Sequence, residues 1–292
     1  MIEGQTTAVG RDASRSTAHA LPGSVIAFFV LTFAIAWACY IPVAMFFAGD
    51  SPLARFLALF GTFAPSMAAL LLTAKSEGTP GVRTLLGRVA QSRVAARWYL
   101  FAIGYFAAIK LTVAVVHRLA TGAWPRFGEN LFLIPFALML STPVQIGEEL
   151  GWRGYALPRL ARRLGLAPAS ILLGVIWALW HLPLFYVRWA EYYGQSFPVY
   201  AIQVTAISVA IAWLWAQAGG SLLLPMLFHA AVNNTKDIVP ALAPAASGPL
   251  GLNGSLVSWI GAALLWTCAL VFLAWMVRTE SRRRDWYGAP PS

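Results

Sequence analysis

Residues 131–163 read LFLIPFALMLSTPVQIGEELGWRGYALPRLARR. The first two thirds are apolar enough to cross a bilayer. Yet this run holds two adjacent glutamates, Glu148 and Glu149, with Arg153 four residues after the second, and it closes on Arg159, Arg162 and Arg163. A membrane helix needs about 20 apolar residues, and a charge inside one is costly enough that it faces the protein interior or a wet cavity. The stretch therefore predicts a membrane helix that carries a buried polar site and ends at a basic membrane face.

The rest of the chain repeats the apolar half of that pattern. Of its residues 59% are apolar and 11% charged, and the mean hydropathy is +0.67, where a soluble domain is about a quarter charged. Apolar runs fall at about 24–48, 54–74, 98–117, 131–152, 168–187, 198–218, 221–236 and 255–277. The expected fold is all-α: a polytopic membrane protein, a bundle of about eight transmembrane helices spanning residues 24–278. Six crossings suffice if the short seventh run or another is re-entrant. A polar tail, residues 1–23, precedes the bundle and is expected to be disordered. A basic tail, residues 279–292, follows it and reads as a contact with anionic lipid. The first apolar run exceeds a signal-peptide core and is expected to be a retained anchor.

The net charge of +10 does not point to nucleic acid, because the basic residues lie between apolar runs and form no patch interleaved with aromatics. They divide by side instead. Arg11, Arg15, Lys75, Arg83, Arg88, Arg93, Arg97, Arg159, Arg162, Arg163, Arg278, Arg282, Arg283 and Arg284 fall on one side of an even-numbered bundle. The other side has Arg55, Arg118, Arg126, Arg188 and Lys236. This asymmetry predicts a multi-pass protein of the cytoplasmic membrane with both termini cytoplasmic. Arg159, Arg162 and Arg163 directly follow the glutamates, so the polar site is expected in the cytoplasmic half of the bilayer. Cys39 and Cys268 sit alone in apolar segments, with no spacing for a disulfide or zinc knuckle. Lys110 lies mid-run and is expected to snorkel or to pair with an acid.

Of the 11 acids, Glu148 and Glu149 alone are embedded in an apolar run, and of the four histidines only His181, in WALWHLP, and His229, in LFHAAVNN, are. Each has a structural reading. Glu149 and Arg153 make an i,i+4 ion pair, His181 is a core histidine under Trp177 and Trp180, and His229 with Asn233 forms a polar clamp between helices. Taken together they would be three independent costly burials in a chain that otherwise avoids buried polarity, and one shared site accounts for all three. A carboxylate, two imidazoles and an amide suit amide hydrolysis, supplying a base for water, donors for an oxyanion and an acid for the leaving amine. Glu148, His181 and His229 are also a zinc shell of the His, His, Glu and water type, so Zn2+ and metal-free activation both stay open. There is no H-E-x-x-H, no G-x-S-x-G and no second intramembrane aspartate, which disfavours the usual zinc, serine and aspartyl proteases.

Three motifs, EELGWR (Glu148, Glu149, Arg153), WALWH (Trp177, His181) and HAAVN (His229, Asn233), resemble in order and spacing the CPBP intramembrane proteases. This family, also called the Abi or CAAX-protease family, includes the type II CAAX prenyl endopeptidases and bacteriocin-immunity proteins. The resemblance covers about residues 135–240 and also implies eight helices. It implies an intramembrane endopeptidase in which Glu148 activates water with His181, and His229 and Asn233 hold the oxyanion. Glu149 and Arg153 would orient the site, with Arg153 within reach of a substrate carboxylate. The substrate would be a membrane peptide or lipidated protein. The family's second motif usually has Phe where this chain has Trp177, a change expected to matter little. Two other classes remain: a non-catalytic scaffold or immunity protein that binds a peptide in the same cavity, and a small transporter, which no visible repeat supports.

Overall fold

The structure, a computed structural model, describes residues 21–241 and 248–279. Apart from residues 21–23 and 279, which are helical, the tails expected at 1–23 and 279–292 lie outside the described residues. The described residues are helical with no strand. Eleven α-helices follow in order: α1 Leu21–Phe46, α2 Pro52–Thr62, α3 Ala64–Gly87, α4 Ala96–Thr121, α5 Ile134–Ser141, α6 Ile146–Glu149, α7 Leu157–Leu164, α8 Leu166–Trp180, α9 Phe197–Gln217, α10 Leu223–Thr235 and α11 Leu256–Thr279. Between α6 and α7, Leu150–Ala156 form a π-helix of seven residues.

Five helical segments are long and apolar enough to cross a membrane, and the number rises to seven if two bent pairs each count as one crossing. The pairs are Pro52–Thr62 with Ala64–Ala90, bent by 44°, and Leu131–Ser141 with Pro143–Leu164, bent by 47°. The chain is thus a multi-pass membrane protein; among the described residues its full-length crossings number five to seven, which does not confirm the expected eight. The shortfall is the run at 221–236. It folds as the 13-residue α10, about 20 Å long against a hydrocarbon core of about 30 Å.

α10 nevertheless returns the chain to the end of the bundle where α9 began. Lys236 beyond α10 pairs with Glu191 before α9, and the Phe197 N–H donates to the Pro249 carbonyl at 2.7 Å. α11 then runs back beside α9, with the Gln203 amide on the Ser258 carbonyl near its start and Trp275 against Trp213 near its end. α1 has the same polarity as the Pro143–Leu164 segment reversed: Phe28 stacks on Tyr155, while further along Trp37 donates to the Trp180 carbonyl. The N-terminal end of α1 and the C-terminal end of α11 therefore share the end of the bundle that carries Arg159, Arg162 and Arg163.

The interior of the bundle is the pair α8 and α9, whose apolar windows are 56% and 61% buried, against 33% for α1 and 28% for α11. Their close approach depends on Gly174: a Cβ there would stand 2.8 Å from the Thr205 Cα. Ser208 secures the contact by donating to the Ser170 carbonyl at 3.0 Å. The site-bearing helix is seated similarly against α3. A Cβ at Gly151 would come within 2.5 Å of the Pro65 backbone, and Ser66 donates to the Ile146 carbonyl at 2.5 Å.

Candidate active site

Glu148 and Glu149 end α6, and Arg153 lies within the π-helix that follows. A π-turn bonds i to i+5 and so widens the helix locally, a feature common at functional sites. All three side chains are buried, with Glu149 and Arg153 at 0% exposure. The predicted Glu149–Arg153 pair forms, with Arg153 Nη1 donating to Glu149 Oε1 at 2.9 Å. The same carboxylate oxygen accepts from His229 Nδ1 on α10, also at 2.9 Å. Glu149 thus joins an arginine of its own helix to an imidazole of another.

Trp177 joins the remaining groups. Its indole N–H donates to Glu148 Oε2 at 2.7 Å, and its backbone carbonyl accepts from His181 Nδ1 at 2.8 Å. Its ring meets that of His229 edge-on at 5.1 Å, and the Arg153 guanidinium lies 4.4 Å from its centroid, a cation–π distance. Trp177 differs here from the phenylalanine expected to be its equivalent: a phenyl ring has no N–H to donate to Glu148.

Both histidines donate from Nδ1 to an oxygen, so in each neutral ring Nε2 is the acceptor. A cavity of about 320 Å³ is lined by Trp177, His181, His229, Asn233, Lys110 and Tyr200 among others. Asn233 is exposed in it and the two histidines are nearly buried. The structure therefore brings all the expected site residues together, in two tiers. His181, His229 and Asn233 line the cavity, Glu149 and Arg153 are sealed behind it, and Glu148, itself buried, is held by Trp177 of the lining. Arg153, at 0% exposure, has no path to a substrate carboxylate; its neighbours are Glu149 and Trp177.

Several lining residues gave no sequence signal. Tyr200 and Tyr192 face His181 with ring centroids at 5.6 Å each, and tyrosines in aromatic-rich membrane segments are ordinarily read as packing. Burial, and then the neighbouring Tyr200, raise the Tyr192 hydroxyl well above its usual range, so it stays neutral. Lys110 neither snorkels nor pairs with an acid in this structure: its Nζ donates to the Val239 carbonyl at 2.7 Å, tying α4 to the segment after α10.

The cavity also lies deeper along the bundle than the basic turn suggested. α8 starts beside Arg163 and reaches His181 after 15 residues, about 22 Å. Glu148 lies at the opposite end of the Pro143–Leu164 segment from Arg162 and Arg163. Glu191, Lys236 and Asp237 line the cavity at that far end. The site is therefore remote from the basic turn and not beside it.

Among the described residues, no group of three or more His, Cys, Asp or Glu side chains could hold a metal ion. Glu148, His181 and His229, for which zinc and metal-free activation were both open, form no such group. The Nδ1 partners are of the kind that metal-binding histidines have, but the Trp177 ring packs against both imidazoles, at 5.9 Å from His181 and 5.1 Å from His229, and its N–H occupies one oxygen of Glu148.

Fold and site together define a polytopic helical membrane protein with a buried carboxylate and imidazole centre. Residues 130–235, which carry all three motifs, match the family model described as type II CAAX prenyl endopeptidase Rce1-like. Over 122 residues the chain is 31% identical to CAAX prenyl protease 2 of Methanococcus maripaludis, a match taking in 39% of this chain and 43% of that protein. The chain thus matches less than half the length of that curated relative. The segment that carries the site is thus similar to the Rce1-like family over the residues where its three motifs lie.

Proposed function

We propose that this protein is an intramembrane endopeptidase that hydrolyses a peptide bond of a membrane-associated or lipidated substrate. The observation that supports the reading is the double use of Trp177: one residue holds Glu148 by its side chain and His181 by its backbone, and Trp177 and His181 line a cavity that His229 and Asn233 also line. A water between Glu148 and the His181 Nε2 has an acceptor for each hydrogen. In the proposed reaction the water oxygen adds to the scissile carbonyl carbon while Glu148 or His181 takes its proton. The oxyanion is held by the Asn233 amide and by His229, which in its protonated form donates from Nε2 and shares its charge with Glu149. Collapse breaks the C–N bond, and the captured proton passes to the leaving amine. Arg153 acts by holding Glu149 and touches no substrate.

None of these steps passes through a metal, since among the described residues Glu148, His181 and His229 form no group that could hold one. The bundle belongs in the cytoplasmic membrane with its basic end, and hence both termini, at the cytoplasmic face. The site then lies in the opposite half of the bilayer.

The test is cleavage of a prenylated CAAX peptide and a panel of membrane peptides by the detergent-purified chain, for wild type, Glu148→Gln and His229→Ala, with and without chelator and added zinc. Cleavage by wild type alone, unaffected by chelator, is the expected result. Loss of cleavage with chelator and its return with zinc would replace the metal-free route. Peptide binding by wild type and both folded variants, with no cleavage by any of them, would identify a scaffold.

A further inference from the structure

α4 forms one wall of the cavity that holds His181 and His229, and it carries Phe106 and, one turn on, Lys110. The helix enters at the basic end of the bundle, where Trp98 meets Trp213. Lys110 follows Ala96 by 14 residues, about 21 Å. His181 lies about 22 Å along α8 from the same end. The ammonium and the imidazole therefore stand at one depth, on different helices around a space of about 320 Å³.

Lys110 is 9% exposed and its head group is only partly satisfied. Of the three hydrogens on Nζ, one goes to the Val239 carbonyl at 2.7 Å. A buried charge is ordinarily paired, and among the described residues no acid pairs with this one. Lys236 and Glu191, on the same cavity wall, take each other. Asp237 is exposed and acts on Lys110 through space without an ion pair. Glu148 is held by Trp177, and Glu149 by Arg153 and His229. Residues 242–247, LAPAAS, which lie outside the described residues, contain no acid. The acids of the tails, Glu3, Asp12, Glu280 and Asp285, are joined to α1 and α11 at the other, basic end. Arg153, the cation expected to reach a substrate carboxylate, is sealed behind the cavity. Among the described residues that leaves Lys110 as the cation of the lining that no acid has taken.

We propose that Lys110 binds a carboxylate of the substrate and so selects peptides that carry one close to the bond to be cut. That the occupant is a peptide rests on the endopeptidase reading; the ammonium's lack of an acid does not. A carboxylate accepts the hydrogens that Val239 leaves, and a pair so buried is weakly screened by salt. The cavity is at the small end of ligand pockets, so a carboxylate on Lys110 and a carbonyl beside His181 and His229 belong to one short stretch of peptide. The carboxylate can be a free C-terminus or an acidic side chain.

The experiment is binding of a dye-labelled membrane peptide to the whole chain in detergent, read by fluorescence anisotropy, with Glu148→Gln as background so that no peptide is consumed. One sequence is made as the C-terminal acid, as the C-terminal amide, and as the amide with a single glutamate added. The acid or the glutamate form should bind about 10-fold tighter than the plain amide. Lys110→Gln, which keeps an N–H for the Val239 carbonyl, should abolish that gain and change the affinity for the plain amide by less than about twofold. Whichever form shows the gain identifies the source of the carboxylate. Equal binding of all three forms, or a gain that survives Lys110→Gln, overturns the proposal. If Lys110→Gln does not fold, the comparison of the three forms with Lys110 in place decides. Cleavage of the same peptides by the chain with Glu148 intact is scored separately. No cleavage, alongside a carboxylate preference that Lys110→Gln removes, would sink the endopeptidase reading and leave the role of Lys110 standing; cleavage without any such preference would do the reverse.

Discussion

Trp177 makes one residue responsible for two side chains that the proposed reaction needs in register. Replacing it by Phe keeps the packing against His229 and Arg153 but removes the donor to Glu148, a hydrogen bond to a charged group of about 1.5–3 kcal/mol. We expect Trp177→Phe to fold and to lose about 10- to 100-fold in kcat with little change in KM, read from cleavage of the same peptide by both proteins. Arg153 makes a different prediction. It and Glu149 are sealed from solvent, so Arg153→Met leaves a buried carboxylate without its cation and should cost about 3–5 kcal/mol. Adding Glu149→Gln removes that charge and should recover part of the loss, as thermal unfolding of the single and double variants would show. The distinction between these residues was partly legible in the sequence. The i,i+4 spacing announced the Glu149–Arg153 pair and the His229–Asn233 face, but nothing in the chain says that Glu149 reaches His229 across 80 positions or that an indole N–H meets Glu148. Those contacts depend on how three helices are rotated, which no local pattern encodes.

At the scale of elements, hydropathy located the helices well, because in lipid a backbone with no water to bond to must be helical. It could not foresee the π-helix after Glu149 or the break in α3 at Gly78, where the chain stays apolar or helix-compatible while its geometry changes. Nor does it show that the run at 221–236 folds as a helix of 13 residues, shorter than the hydrocarbon core. The α8–α9 contact gives the prediction at this scale. Gly174→Val forces a branched side chain toward the Thr205 backbone and should destabilise by about 1–3 kcal/mol. Gly87→Ala, whose added Cβ meets nothing within 4 Å, should be neutral or gain up to about 1 kcal/mol of helix propensity. Equal effects on the unfolding midpoint would contradict the packing described.

For the whole molecule, the arrangement has two chemically distinct ends: the arginine-rich end and the end where Glu191 and Lys236 meet. Single cysteines at Arg163 and Gln195, in a background of Cys39→Ala and Cys268→Ala, should react with an impermeant maleimide from opposite sides of sealed vesicles, position 163 from the cytoplasmic side. Labelling of both from one side would refute the crossing. The arginine-rich end was legible in the sequence as a run of basic residues after Leu157. That run misplaced the site, because adjacency in sequence to Arg159 is not adjacency in depth when a helix of about 22 Å lies between.

The burial of α8 and α9 in the middle of the bundle bears on how the protein responds to the lipid around it. When a bilayer is thicker or thinner than a protein's apolar belt, the helices in contact with lipid tilt or the lipid deforms to compensate. Here α1 and α11 face the acyl chains, while Trp177 and His181 ride on a helix more than half enclosed by protein. The periphery can yield to changes in acyl-chain length or sterol content while the spacing of Glu148, His181 and His229 stays fixed. The rate of the proposed hydrolysis should then be nearly independent of bilayer thickness, even where the protein's stability is not.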